Sequence, residues 1–108
     1  MEAQRKQTGI RERYMLDYGI NHIEVDKLVK FCKEARGEDL VLLLRAAVLT
    51  NEDIAAELFT CLKLGIGYEV IYKKHWIPMQ RKDFQGYRRK TLETVERLLL
   101  MRDIEMEE

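Results

Sequence analysis

YEVIYKKHWIPMQRKDFQGYRRKTL, residues 68–92, is the stretch on which the reading of this chain turns. It opens as a helix, with Val70, Ile71 and Lys74 at helical spacing. Trp76-Ile77-Pro78-Met79 then interrupts the pattern. Pro78 cannot continue a helix interior, and it drives Ile77 towards extended backbone. From Gln80 a longer periodicity takes over. Phe84, Tyr87, Thr91, Val95, Leu98 and Leu99 trace one apolar stripe, and nothing breaks it before about Met106. A short helix, a turn and a long helix are therefore expected here.

The segments upstream also read as helices. From Thr8, the residues Ile10, Tyr14, Met15 and Tyr18 predict a first helix that Gly19 stops. Asn21 is placed to cap a second through its side-chain oxygen. Val25, Leu28, Val29, Cys32 and Ala35 form that helix's inner face, and Gly37 ends it. EDLVLLLRAAVL, apolar nearly all round, predicts a third helix in the middle of the core. Thr50 is the expected cap of a fourth, whose inner face is Ile54, Ala55, Leu58, Cys61 and Leu62. Leu64-Gly65-Ile66-Gly67 closes it. With 108 residues and little Pro or Gly, the expectation is one all-α domain, residues 1–108. It has five or six helices, a helix-turn-helix within about residues 51–100 and a long C-terminal helix.

Net charge is zero, from 19 Lys and Arg against 19 Asp and Glu, but the charge is distributed unevenly along the chain. Residues 67–90 carry seven basic and two acidic side chains, whereas residues 91–108 carry two and six. A basic segment between acidic ones, on a helix that follows a turn, suits double-stranded DNA. In such a unit the start of the second helix reaches base edges, and Arg and Gln are the side chains that pair with guanine and adenine. Gln80, Arg81, Lys82 and Gln85 are the candidate base readers. Arg81, Gln85 and Arg89 share one outer face. Lys73, Lys74, Arg88, Arg89 and Lys90 are the candidate phosphate contacts, which position the helix without reading sequence. Ile77 and Met79 are expected between the two helices, with Phe84 as the apolar anchor. Trp76, Phe84 and Tyr87 are expected in the core. Gly86 implies a close approach, by a DNA backbone or by a neighbouring part of the chain.

MQRKDFQGYRRKTLETVERLL, residues 79–99, resembles the second helix of the helix-turn-helix in sigma-factor region four. It also resembles the small phage and mobile-element regulators of Firmicutes of the RinA/ArpU type. The shared features are an apolar turn residue, a basic helix start, an anchor five residues on and a basic cluster running into leucines. The turn here is about two residues longer than in the usual three-helix version. The resemblance implies transcriptional control by sequence-specific DNA binding, with RNA polymerase or another phage protein as a further partner.

Other classes leave little trace. Cys32 and Cys61 lie in apolar patterns and read as buried, reduced thiols. They and the two histidines are too scattered for a metal site, and no cofactor is expected. No nucleophile motif, carboxylate pair or phosphate loop suggests an enzyme. The longest apolar run is too short for a membrane span, so a cytoplasmic protein is expected. The competing expectation is a helical interaction or oligomerisation adaptor, or a terminase small-subunit-like packaging protein. Leu92, Val95 and Leu99 approximate coiled-coil spacing, with Leu98, Leu100 and Met101 beside them. A homodimer through the C-terminal helix is compatible with either function.

Overall fold

Phe84, buried to 1% exposure, is the largest side chain in the interior, and the helix that carries it is the spine of the molecule. A computed structural model describes residues 9–106 and is all-helical over that range. Five α-helices follow in order: α1 His22–Glu34, α2 Glu38–Thr50, α3 Ala55–Leu64, α4 Tyr68–Tyr72 and α5 Arg81–Met106. The 26-residue α5 packs against each of the other four. Two apolar clusters lie along it. One joins Leu28, Cys32, Leu43, Leu62, Leu92 and Val95. The other joins Ala47, Ile54, Leu58, Ile71, Ile77 and Phe84. Among the described residues no helix is long and apolar enough to cross a membrane.

Local signals explain the boundaries. The Asn21 side chain accepts from the Glu24 amide while the Glu24 carboxylate accepts from the Asn21 amide, both at 2.9 Å, closing a capping box on α1. Gly65 ends α3 in the left-handed region, at φ 69°. The expected cap at Thr50 is displaced by one residue. Helix α2 runs through Thr50, whose hydroxyl donates back to the Ala46 carbonyl at 2.8 Å. Asn51 caps instead, accepting from the Asp53 amide at the head of a 3-10 turn, Glu52–Ile54.

Two expectations fail for instructive reasons. The predicted first helix is absent over the residues described. Ile10–Glu12 and Met15–Tyr18 are separate 3-10 turns with extended backbone at Arg13 and Tyr14 between them. Thr8 lies outside the described residues. Extended backbone leaves carbonyls without helical partners, and Arg89 on α5 takes two of them. Its Nε donates to the Arg13 carbonyl at 2.8 Å, and a terminal nitrogen donates to the Arg11 carbonyl at 3.2 Å. The segment thus docks on α5 and does not form a helix beside it.

The other failure is α2, expected inside the core. Only Leu43, Ala46 and Ala47 are buried. Val41 is 66% exposed, and Leu44, Val48 and Leu49 are exposed with it. Helix α2 contacts α5 and α3 along one face, and nothing among the described residues covers the other. Its Asp39 and Thr50 face Arg102 and Thr94 of α5, so the two helices run antiparallel.

Gly86 supplies the fit between the N-terminal segment and α5. A side chain there would overlap the Ile10 carbonyl and crowd the Arg11 amide. Of the two approaches that the sequence left open, the chain's own backbone is the one present. In an isolated helix, Gly86→Ala stabilises by about 1 kcal/mol. Here it should displace residues 9–13, so trypsin should cut after Arg11 and Arg13 faster than in the wild type. A stabilised variant with these sites still protected would contradict the docking.

Candidate functional site

The turn after α4 is built by apolar anchoring, and its charges follow from that. Ile71 of α4 and Ile77 of the turn are buried against Phe84 of α5 and Leu58 of α3. Met79 packs at the edge of this cluster, as does Tyr87. Ile77 is buried, and its neighbour Trp76 stands in solvent. Its 69% exposure corrects the expectation that it belongs to the core.

Two polar contacts that the sequence reading missed hold the turn. The Tyr68 hydroxyl donates to the Met79 carbonyl at 2.6 Å, with its ring 5.6 Å from that of Phe84. His75 Nε2 meets Glu57 Oε2 at 2.6 Å. Glu57 lies on α3 at 7% exposure, so this pair ties the outside of the turn to an otherwise buried carboxylate. Glu57 falls within the inner stretch of α3, and a charge at such a position is the signal that a partner exists.

The nine candidate residues divide into two groups. Lys73, Lys74, Gln80, Arg81 and Lys82 are exposed together, on the turn and the first turn of α5. Lys73, Lys74 and Lys82 form no ion pair among the described residues. Arg81 lies 3.3 Å from Glu69 in an exposed pair. Gln80 accepts from Arg11 at 3.2 Å.

The remaining four are turned inward. Gln85 and Arg88 are half-buried in the wall of a groove between α1 and α5. Arg89 is held by the two backbone carbonyls, and its guanidinium stands 4.5 Å from the centre of the Tyr14 ring. Lys90 pairs with Glu93 at 3.0 Å and lies 5.1 Å from the centre of the Tyr18 ring. The expected outer face Arg81–Gln85–Arg89 is therefore open only at its first member. At Arg89 the N-terminal segment is the cause, because its backbone carbonyls take the guanidinium.

Arg11 is a neighbour of the candidate residues that periodicity did not single out. It bonds Asp83 at 2.8 Å. That hydrogen bond, with the charge of Arg11, holds the Asp83 carboxyl below its ordinary value. Asp83 is thereby neutralised, and the start of α5 presents mainly cations. Both thiols are buried, and burial pushes Cys32 up to about 12, so neither is a nucleophile at neutral pH. Among the described residues no group of histidine, cysteine and carboxylate side chains is arranged to hold a metal. No family model, curated protein or solved structure matches this chain.

A lowered carboxyl pKa contributes stability above the unfolded value, lost as pH falls below it. Carboxyl-carbon NMR should place Asp83 below the ordinary aspartate range, and Arg11→Gln should return it upward. An Asp83 titration indifferent to Arg11→Gln would remove the pair from the account.

Proposed function

We propose that this chain binds double-stranded DNA through the turn after α4 and the first turn of α5, as a helix-turn-helix transcriptional regulator. The supporting observation is the exposed set Lys73, Lys74 and Lys82, unpaired among the described residues and flanking Gln80 and Arg81 on an apolar frame. Free lysines attract phosphates, and DNA binding releases counterions from them. Gln80 and Arg81 start the helix, the position from which a recognition helix reaches base edges. The Arg81–Glu69 pair is exposed and worth at most about 1 kcal/mol, so it yields readily to a base contact. Gln85, Arg88, Arg89 and Lys90 drop out of the set that first meets DNA. What supports the likeness to the phage and mobile-element regulators is the buried turn residue Ile77 and the Phe84 anchor, and on this reading the protein has no catalytic role and works in the cytoplasm.

A second reading rests on its own observation and is compatible with the first. Val41, Leu44 and Val48 make an uncovered apolar stripe on α2, and Leu100, Met101 and Ile104 are exposed near the end of α5. Exposed apolar groups in such number mark an association surface. Self-association through these helices would pair two DNA-contacting turns.

Trp76 is the only tryptophan and stands exposed on the same turn, so its emission reports binding directly. Titration with random-sequence duplex should give salt-dependent binding. Replacing Lys73, Lys74 and Lys82 with Ala should weaken it and lower the salt slope by about 0.9 per lost phosphate contact. Arg81→Ala should cost ~1–3 kcal/mol of preference for the correct site. Binding that ignores salt, or a triple variant that binds as well as the wild type, would refute the proposal.

A further inference from the structure

A groove of about 440 Å³ opens between α1, the α3–α4 turn and α5. Three cations line it: Lys33 from α1, and Arg88 and Arg89 from α5. Among the described residues no carboxylate lines it. Arg89 is satisfied by backbone carbonyls, but Arg88 is not satisfied in the same way. Arg88 is half-buried, and it has no ion pair and no oxygen acceptor among the described residues. What it faces is the Cys61 thiol, a weak partner. A cation withdrawn from water without a counter-charge is costly, and buried charges are ordinarily paired. Lys33 adds to the same field. Its stem lies across Gly65, where a side chain would come within 2.7 Å of the Lys33 Cε. Gly65 thus leaves Lys33 room along the groove's edge.

The remaining wall is apolar. Val25 and Val29 stand on one side, with Ile66, Tyr68 and Leu92 opposite and below. Volume and lining match a small-molecule cleft, apolar with a few convergent polar groups. The groove is too small for a duplex, whose contact area spans the outside of a domain.

We propose that this groove binds a small organic anion, a phosphate or carboxylate carried on an apolar body. The oxyanion sits between Arg88 and Lys33, with Gln85 as a further donor, and the apolar body rests on Val25, Val29 and Leu92. The guanidinium is the natural partner because its planar fork engages two oxygens at once. This site is separate from the DNA-contacting turn and does not depend on it. Its consequence is a ligand that bridges α1 and α5 just behind the helix start carrying Arg81.

Phenyl phosphate, inorganic phosphate and phenol, titrated separately into the ¹⁵N-labelled chain, test the proposal. Phenyl phosphate should shift the Gly65, Gly67 and Gln85 amides saturably. Phenol should not saturate, and inorganic phosphate should bind more weakly than the aryl ester. Arg88→Gln should weaken phenyl phosphate by about tenfold or more. Lys33→Gln, at an exposed position that leaves the core intact, should weaken it several-fold, so the test survives any folding defect of the Arg88 variant. Unsaturable shifts, unchanged affinity in Lys33→Gln, or shifts confined to residues 73–82 would overturn the site. Equal binding of inorganic phosphate would overturn the role of the apolar walls.

Discussion

The backbone of Ile10 and Arg11 occupies the space where a side chain at position 86 would stand. That contact decides how the whole basic segment is used. Because residue 86 is glycine, the N-terminal segment lies directly on α5 and Arg89 reaches its free carbonyls. Arg11 then bonds Asp83 and Gln80 from the same segment. Seven basic residues in the stretch 67–90 could have formed one continuous charged face. They fall instead into an exposed group at the turn and an inward group along the helix, where the docked segment takes Arg89 and Lys90 and the α1 groove takes Arg88. Helix stability is sacrificed at Gly86 for a tertiary contact, the usual reason for such a residue in a helix interior.

The second constraint is apolar. Phe84, Ile77 and Ile71 fix the turn in place, and Tyr68 and the Glu57–His75 pair fix its outline. The lysines that follow need no contacts of their own to be positioned, since their backbone is already held. Removing any one of the anchors would loosen the presented charges together. Truncating a buried Phe such as Phe84 costs about 3–5 kcal/mol, far more than any exposed ion pair contributes. The chemistry at the surface is thus set by packing beneath it.

Much of this was legible from spacing. The long stripe Phe84–Leu99 gave α5, Pro78 gave the turn, and Asn21 and Gly65 gave ends of helices. These signals are local, and local signals survive without tertiary knowledge. What failed was non-local. Ile10, Tyr14, Met15 and Tyr18 have helical spacing, yet their partner is a surface of α5 some seventy residues away, and docking there overrides propensity. The apolar richness of α2 was visible, but how many of its faces are covered depends on the number of neighbours, which periodicity does not count. Trp76 shares helical spacing with Phe84 and Tyr87, which points to the core, but it lies in the turn before α5, where Ile77 is the buried anchor and Trp76 is exposed. Gly86 was noticed, and both of its explanations were sound; only the packing of residues 9–13 separates them.

On the proposed reading, the turn and the first turn of α5, and not the length of that helix, meet DNA. An amide chemical-shift map of the ¹⁵N-labelled chain with a short random-sequence duplex at low salt tests it most directly. The account predicts shifts concentrated from Lys73 to Lys82, including the Trp76 indole, with residues 9–18 and Arg88–Lys90 little changed and the whole response fading as salt is raised. Shifts centred on Arg88–Lys90 together with residues 9–18 would mean that the N-terminal segment gives way to DNA, and no shifts at low salt would mean that the exposed lysines serve something other than nucleic acid. Either result would refute DNA contact through the exposed turn.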